Sequence, residues 1–476
     1  MRVMPFPDPR KGLVRGVILA LVLAALAAAY GCRGPRQPNV VLISIDTLRA
    51  DKLGAYGHTA PTSPAVDRRL AAQGVTFTRA FSQSPKTTPS HMSMLTSLYP
   101  CVHGVELWTS SETPSAKLRP AIDTLAELLQ ASGYATVAFT GGGHVHASRG
   151  FADGFDTYEH GDELKRTLEW LRAHGRDGKF FLFFHTYLVH DPYVHPLRYI
   201  RQFDPDYNGP VLERVEQLNQ RARGRHTRPV SEKKMSRAQA FWEVVDRNNP
   251  ADVRFVEHLY EAGILRMDET QLTPLLDLLD ELQLAENTLV VFTSDHGEAF
   301  LEHGNFLHMD LYGETLHVPL IVRYPGHVPA GARFDAPVTS LDLMPTILDI
   351  AGLPVPAAAQ GRSLVPLWSG GKIAPLPTIS EWNGRASGVP FSAVRDGGFS
   401  YIVEGSDEQL FDLGADPGER NSLVQQQAGQ LAALRAQKAE WEKECRIRAS
   451  QLGPPPSGAG PSEETRRQLR ALGYVQ

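Results

Sequence analysis

Four short runs of consecutive apolar residues stand out along the chain, and each run ends at polar residues. They cover residues 40–45, 134–139, 180–184 and 289–292. Continuous rather than alternating apolarity predicts strands that are buried on both faces, as in a parallel sheet. Between them lie segments with apolar residues at helical spacing, within 122–132 and 255–284. This alternation predicts an α/β fold with a doubly wound, mostly parallel sheet flanked by helices.

Polar side chains suited to a ligand site follow three of these runs. Asp46 follows the first run, His185 follows the third, and Asp295 lies three residues after the fourth. Because ligands of such sheets bind beyond the carboxyl ends of the strands, these three residues are candidates for one shared site.

The texture of the chain changes near residue 375, where short strand-like pieces such as 399–403 precede a predicted helix over 422–446. We interpret this part as a smaller C-terminal α+β subdomain. The polar, arginine-rich segment 201–254 lacks apolar periodicity and is interpreted as a solvated insertion, with a substrate-facing lid or a contact with acidic polymer as alternatives. A flexible Pro- and Gly-rich linker is predicted over 453–462, followed by a terminal helix over 463–474. The predicted organisation is a signal segment over 1–32, a tether over 33–38, the main domain over 39–374, the C-terminal subdomain over 375–448, and a linker with terminal helix over 449–476.

The N-terminus has the pattern of an export signal. A basic start at residues 10–15 precedes an apolar run over 17–30, which is too short to span a membrane and ends at Gly31-Cys32. The segment resembles a bacterial lipoprotein signal, in which Cys32 would carry the lipid; a cleaved signal peptide and an uncleaved anchor are the alternatives. We therefore expect an exported, membrane-anchored protein in the periplasm or at the cell surface. In that oxidising compartment Cys101 and Cys445 either pair or remain two separate thiols.

Composition excludes several classes of protein. Of 476 residues, 42% are hydrophobic and 21% are charged, which excludes a mostly disordered chain. The net charge is only -5, and a nucleic-acid binder would carry a basic excess, so no nucleic-acid partner is expected.

Two local motifs carry the candidate chemistry. Asp295 and His296 stand side by side after an apolar strand, where a carboxylate and an imidazole can face one metal ion together with Asp46. Thr87 precedes Pro89 and Ser90, a pair typical of a helix start, and free N–H groups at a helix N-terminus favour anions. The simpler alternatives are that the acidic residues cap helices or turns and that Thr87 or Thr88 caps its helix.

Five histidines in two short stretches could supply further ligands or a general acid. They are His185, His190, His195, His303 and His308.

Taken together, these motifs resemble those of sulfatases in the alkaline phosphatase superfamily. The resemblance runs from residue 39 to residue 421 and rests on segments 39–57, 87–105, 190–193, 294–298, 311–321 and 410–419. It implies that Asp46, Asp295 and His296 bind a divalent metal and that Thr87 is the nucleophile and touches that metal. It also implies that His190 contacts the transferred group or the leaving oxygen. Lys86 and His91 belong to the Thr87 motif and are taken as catalytic with it, and His308 falls near a further active-site cation or ligand.

The sequence departs from the sulfatase pattern at the nucleophile. Sulfatases carry a Cys or Ser there and oxidise it to formylglycine, whereas oxidation of Thr87 would give a ketone, so no formylglycine is expected. Phosphodiesterases and phosphoethanolamine transferases of the superfamily use threonine at this position. Thr47, His91 and His296 replace the Asp, Arg and Asn of many sulfatases. The Asp/His ligand set favours zinc or manganese, while calcium and magnesium remain compatible.

The resulting hypothesis is a metal-dependent hydrolase of sulfuric or phosphoric esters, including phosphodiesters and phosphonates. Its substrate would be a small, glycan or lipid ester. The alternatives are an envelope transferase of the phosphoethanolamine or phosphoglycerol type and a non-catalytic binding protein that keeps the fold.

Overall fold

The computed structural model describes residues 37–106, 116–222, 236–383, 389–456 and 462–471. The predicted signal segment with Cys32, and most of the tether, lie outside these residues. Within the described part, no helix combines the length and the apolar character that crossing a bilayer requires. The described residues from Pro38 onward belong to one compact unit.

The strands and helices are bounded as follows. The strands are β1 (Asn39–Ile45), β2 (Val75–Phe81), β3 (Ala135–Thr140), β4 (Thr157–His160), β5 (Phe180–Thr186), β6 (Thr288–Thr293), β7 (Ala299–Phe300), β8 (Phe306–Leu307), β9 (His317–Arg323), β10 (Ala332–Phe334), β11 (Val338–Thr339), β12 (Thr378–Trp382), β13 (Phe391–Asp396), β14 (Phe399–Glu404) and β15 (Asp407–Asp412). The helices are α1 (Thr87–Thr96), α2 (Pro100–His103), α3 (Leu125–Ala131), α4 (Glu163–His174), α5 (Leu197–Phe203), α6 (Pro210–Ala222), α7 (Arg237–Trp242), α8 (Pro250–Met267), α9 (Thr273–Glu281), α10 (Gly313–Leu316), α11 (Leu343–Ile350), α12 (Val365–Trp368), α13 (Ala428–Leu452) and α14 (Glu463–Ala471).

The predicted doubly wound sheet is confirmed. Within the described residues it has nine strands in the order β10-β2-β9-β6-β1-β5-β3-β4, with β11 beside β2. The central strand β1 is parallel to β5 and to β6, while β9 runs antiparallel to both β6 and β2. Side chains of β1 alternate between two apolar cores: Val41 and Ile43 face one core, and Val40 and Leu42 face the other. Burial on both faces accounts for the continuous apolarity of this strand.

The C-terminal part forms a four-stranded antiparallel sheet, β12-β13-β14-β15. Its side chains Trp382, Phe391 and Phe411 share a small core with Leu311 and Leu316 of the main domain. A disulfide between Cys101 and Cys445 joins α2 to α13 across a Cα–Cα distance of 5.8 Å, which settles the question the sequence left open.

The helix predicted over 422–446 in fact covers Ala428–Leu452. It therefore begins and ends six residues later than predicted and extends past residue 448, where we placed the end of the C-terminal subdomain. The N–H group of Leu423 donates to Leu410 O of β15, which holds that residue beside the sheet instead of in a helix. At the other end the helix stops at Gly453, whose φ of 71° lies in the left-handed region. The adjoining linker is anchored where it is described, since Arg119 Nε donates to Gly453 O and Lys117 N to Pro456 O.

The segment 201–254, interpreted as a solvated insertion, is not solvated throughout its described residues. Helix α6 buries Val211, Val215 and Leu218 in the main core, and α7 adds Phe241. These α6 residues recur at intervals of four and three, which is helical spacing that the charged residues between them obscured. Helices α6 and α7 therefore pack against the main core.

Candidate active site

The side chains predicted to bind a metal ion lie together at one edge of the sheet. The register pairs Ser44 of β1 with Thr293 of β6, so Asp46 and Asp295 follow neighbouring strands that end side by side. One ligand atom each from Asp46, Asp295 and His296 lies within 4.8 Å of the others, and all three residues are fully buried. The sheet topology thus brings together the three residues predicted from widely separated segments.

The donor set fits a divalent cation. Among the described residues, Asp46 Oδ1 and Asp295 Oδ2 accept no hydrogen bond of standard geometry. Burial raises the pKa of Asp46 to about 6 and that of Asp295 to about 8, the latter reinforced by the charge of Asp46. Two buried carboxylates that face one another are unfavourable, and a bound cation would offset their charge in addition to His190.

His296 presents a free imidazole nitrogen to this cluster. Its Nδ1 lies 3.0 Å from Gly297 O, so Nδ1–H donates and Nε2 keeps its lone pair. Burial holds the pKa of His296 well below its usual value, which keeps the ring neutral as a metal ligand must be. Nε2 also lies 3.4 Å from Thr87 Oγ1, which connects the predicted nucleophile with the predicted metal ligands.

Thr87 is the first residue of the buried helix α1. The cap position belongs to Lys86, whose side chain accepts no bond from the helix. Thr88 Oγ1 donates to His144 O at 2.8 Å. Ser90 Oγ donates to Asp295 O at 2.6 Å and so fixes the start of α1 against the end of β6. The alternative that Thr87 or Thr88 merely caps α1 is therefore wrong, and the Thr87 hydroxyl is free to face the site.

His91 lies one turn further along α1 and contacts the residues that form the site. Its Nδ1–H donates to Thr87 O at 2.9 Å, and its Nε2 accepts from Ser44 Oγ at the same distance. Burial lowers the pKa of His91 to about 4, and Nδ1 lies 3.4 Å from Asp295 Oδ2. The ring therefore links helix α1, strand β1 and the Asp295 carboxylate.

Two further histidines approach Asp46 from β5 and the loop after it. His185 Nε2 lies 3.2 Å from Asp46 Oδ2, and His190 Nε2 lies 4.0 Å from Asp46 Oδ1. His190 Nδ1–H donates to Asp191 O at 2.8 Å. Burial alone would lower the pKa of His190, but Asp191, then Asp46 and Glu298, raise it to about 10. His190 is thus a buried proton carrier at the edge of the cluster.

His308 lies beside His296 and contacts Glu298. Glu298 was not identified as a site residue from the sequence. The His308 ring lies 4.4 Å from the His296 ring, and its Nδ1 lies 3.1 Å from Glu298 Oε1. Tyr193 OH donates to the other oxygen of this fully buried carboxylate at 2.9 Å. Glu298 is the last residue of the segment 294–298 that contains Asp295. Its place in that segment is the sequence signal that could have identified it.

Of the remaining predicted residues, Lys86 lies at the site, whereas His195 and His303 lie elsewhere. Lys86 Nζ lies 3.4 Å from Met309 Sδ and 4.2 Å from the centroid of the Trp382 ring, immediately beside Thr87. His195 and His303 do not join the cluster. His195 Nδ1 lies 3.4 Å from Arg266 Nη1, and His303 Nδ1 lies 2.6 Å from a Glu314 oxygen.

Family models and curated relatives match most of the chain. A family model described as Sulfatase matches residues 38–353, and one described as N-sulphoglucosamine sulphohydrolase, C-terminal, matches residues 301–444. A Delta 4,5-hexuronate-2-O-sulfatase of Bacteroides thetaiotaomicron is 26% identical over 449 residues, covering 85% of this chain and 88% of the relative. Human arylsulfatase K is 27% identical over 457 residues, covering 86% and 83%.

Solved structures share the fold. A protein in complex with its substrate D-glucosamine-2-N,6-O-disulfate superimposes with a TM-score of 0.70 at 20% identity, covering 87% of this chain and 99% of its own. A phosphonate monoester hydrolase of Agrobacterium radiobacter superimposes with a TM-score of 0.66 at 24% identity, covering 87% and 96%.

Proposed function

The chain belongs to the sulfatase family of the alkaline phosphatase superfamily and is an ester hydrolase; from this premise we propose that it cleaves phosphoric or phosphonic esters by direct attack of Thr87. Sulfuric esters are the second substrate class. A non-catalytic binding protein is no longer a candidate, because the chain keeps both the family and the clustered site residues.

The observation that carries the proposal is the position of the Thr87 hydroxyl. It lies 3.4 Å from His296 Nε2, at the N-terminus of α1, beside a buried cluster of metal-ligating atoms. The free N–H groups at this helix end favour the anionic ester group, and the buried Lys86 adds a positive charge.

The cluster would hold a divalent cation through Asp46, Asp295 and His296, with zinc or manganese favoured by the mixed Asp/His donors. When bound, such a cation lowers the pKa of a neighbouring hydroxyl and neutralises charge on the ester oxygens. The Thr87 hydroxyl gives up its proton to solvent, and its Oγ1 attacks phosphorus or sulfur as the bond from that atom to the leaving oxygen breaks. His190, oriented by Asp191, is placed to donate a proton to the leaving oxygen. In a second displacement water attacks phosphorus or sulfur and gives a proton to the now neutral His190, the bond to Thr87 Oγ1 breaks, and Oγ1 takes up a proton from solvent.

Thr87 favours phosphorus over sulfur for a chemical reason. A formylglycine releases sulfate through collapse of its hemiacetal, without attack on sulfur, and a threonine ester lacks that exit. The second step must therefore displace the Thr87 oxygen at phosphorus or sulfur, which phosphoryl-transfer enzymes do routinely.

The test compares Thr87→Val, which removes the hydroxyl at nearly constant volume, with Thr87→Ser, which keeps it. Both are assayed on p-nitrophenyl sulfate, p-nitrophenyl phosphate, bis-p-nitrophenyl phosphate and p-nitrophenyl phenylphosphonate with several divalent ions. We expect Thr87→Val to lose activity by on the order of 10³-fold or more and Thr87→Ser to retain much of it, with equal bound metal in both. Unchanged turnover in Thr87→Val would reject the nucleophile, and faster turnover of the sulfate ester than of every phosphorus ester would reject the substrate preference.

We also propose that the protein is exported and held at the membrane by a lipid on Cys32. The basic and apolar pattern that ends at this cysteine supports the proposal. Radioactive palmitate should label the wild type and not Cys32→Ala; equal labelling of the variant would contradict it. The physiological ester, whether a small molecule, a glycan or a lipid, would then be met outside the cytoplasm.

A further inference from the structure

Three consecutive glycines, residues 141–143, follow strand β3, and we name them the glycine loop. The next residue, His144, is fully buried. Its carbonyl oxygen accepts the hydroxyl of Thr88 at 2.8 Å, and Thr88 is the chain neighbour of Thr87. The glycine loop therefore leads directly to a residue that contacts the start of α1.

The imidazole of His144 lies near the charged groups of the active site. Burial, followed by the charges of Arg149 and His190, holds the pKa of His144 well below its usual value. The charges of Lys86 and His296 act in the same direction. Because such effects weaken with distance, a shift of the glycine loop would move a ring that belongs to the surroundings of the reacting centre.

Tyr187 connects the glycine loop to the histidines of the site. Its hydroxyl donates to Gly142 O and accepts the His144 N–H, each at 3.2 Å. The centroid of its ring lies 4.7 Å from that of His185 and 5.5 Å from that of His190. A Cβ on the first glycine of the loop would lie 2.5 Å from a carbon of the Tyr187 ring, so a larger residue does not fit there.

Helix α14 contacts the same loop through Gln468. Gln468 Oε1 accepts the Gly143 N–H at 3.0 Å, although the two residues are 325 positions apart in the chain. A Cβ on Gly142 would lie 2.6 Å from that oxygen. Thr465 and Leu469 of the same helix are fully buried. The helix is therefore docked on the protein and presents Gln468 to the glycine loop.

A run of glycines depends on such contacts for a single conformation. Gly142 and Gly143 have φ values of 75° and 61°, in the left-handed region, and carry no side chains whose packing could fix them. The hydrogen bonds to Tyr187 and Gln468 therefore set the path of the loop and, with it, the position of His144.

We propose that α14 is a clamp on the active site and that Gln468 is a positioning residue, which holds His144 in place through the glycine loop. The proposal rests on the proposed function, because it concerns the same reacting centre. Without the bond from Gly143 to Gln468, the loop would sample further conformations, and the fraction of protein with His144 in place would fall. The net contribution of one ordinary hydrogen bond corresponds to about a fivefold change in that fraction.

The test compares Gln468→Met, which removes the acceptor at nearly constant length, with Gln468→Glu, which keeps it. Kinetics are measured on the aryl ester that the wild type turns over fastest. We expect kcat/KM to fall by about fivefold in Gln468→Met and to stay within about twofold of the wild type in Gln468→Glu. An equal loss in the two variants would overturn the role of the acceptor oxygen.

The matched control is Gln360→Met. Gln360 Oε1 accepts the Tyr99 N–H at 3.0 Å, and this side chain is partly buried like that of Gln468. Its own N–H donates to Ser97 O, at the opposite end of α1 from Thr87. Gln360→Met should therefore leave kcat/KM within about twofold of the wild type. A loss as large as that of Gln468→Met would reduce the effect to lost stability and overturn the proposal.

A double variant tests whether the effect passes through His144. His144→Ala should itself be slower than the wild type, and adding Gln468→Met should then change kcat/KM by less than about twofold, because the positioned residue is already absent. Wild-type activity in His144→Ala, or a full fivefold further loss in the double variant, would overturn the proposal.

Hydrogen exchange followed by mass spectrometry tests the clamp without relying on activity. A peptide that contains residues 141–146 should exchange faster in Gln468→Met than in the wild type and Gln468→Glu, because the Gly143 amide loses its acceptor. Unchanged exchange would overturn the clamp. Absence of turnover of every ester by the wild type would count against the proposed function, and the exchange of this peptide would then decide whether the clamp forms.

Discussion

The buried ion pair between Arg395 and Glu419 offers a sharp test of how the C-terminal sheet is joined to the main domain. Arg395 Nη2 lies 3.1 Å from Glu419 Oε1, and the two side chains are 3% and 1% exposed. The other Glu419 oxygen accepts the Gly313 N–H at 2.6 Å. Glu419 thus binds a guanidinium of β13 and the first residue of α10 at once.

We expect Glu419→Gln to destabilise the protein by about 3–5 kcal/mol. The substitution keeps the shape of the side chain but leaves the Arg395 charge buried. Nη2 would retain its bond to Leu311 O, at 2.7 Å, while Nη1 already lacks a hydrogen-bond partner among the described residues. For a unit of this length, unfolding entropy of about 2 cal/mol/K per residue converts such a cost into a fall in Tm of roughly 4 °C.

The matched control is Glu444→Gln, which makes the same chemical change in a solvent-exposed pair. Glu444 lies 2.8 Å from Arg448 on α13, and the two side chains are 49% and 32% exposed. An exposed pair of this spacing contributes about 0.3–0.5 kcal/mol, so its Tm should move by less than about 1 °C. Calorimetry and guanidinium unfolding midpoints measure both variants. Equal shifts for Glu419→Gln and Glu444→Gln would refute the reasoning that burial makes the pair costly to break.

Three further predictions concern the metal ligands and the disulfide. Chelation should lower Tm, and restoring zinc or manganese at about 100 times Kd should return about 2.7 kcal/mol, or roughly 3 °C; Asp295→Asn should abolish this response, and a response that persists would contradict the ligand assignment. In the chelated protein, the raised pKa values of Asp46 and Asp295 mean that the folded state holds these protons more tightly than the unfolded state. The contribution of these two groups to stability should therefore be highest below about pH 4 and fall as the pH rises toward 8. Tm in chelator should fall less steeply in Asp295→Asn. A wild-type Tm that rises over this range in chelator would contradict the expected direction of the pH dependence. The double variant Cys101→Ser/Cys445→Ser should lose about 2–5 kcal/mol because it opens a loop with a sequence separation of 344, and reduced wild type should match it in calorimetry; an unchanged Tm would mean that the bridge does not form in solution.

The fold was predictable because its strands are buried on both faces. Strand β1 alternates its side chains between two cores, so its sequence is apolar without interruption, and that pattern excludes a half-exposed strand. The pattern of apolar residues did not reveal helix α6. Its buried residues Val211 and Val215 are separated by charged residues, and only contact with the main core reveals which face is covered.

The candidate site was predictable in part. The rule that ligands bind at the carboxyl ends of strands grouped Asp46, His185 and Asp295, and the structure places these side chains together. Glu298 was missed because a buried carboxylate is informative only when its partners are known, and its partner His308 comes from the loop after β8.

The sequence by itself determined the doubly wound sheet and the position of Thr87 near a helix start, since strand burial and helix starts are local patterns; the family resemblance added the prediction that Asp46, Asp295 and His296 bind metal. Only the tertiary structure decided the Cys101–Cys445 pair and the place of the arginine-rich helices. Those features depend on which surfaces meet across the fold. The free energy of burying a charge or an apolar face is set by neighbours distant in the chain, and no local pattern encodes them.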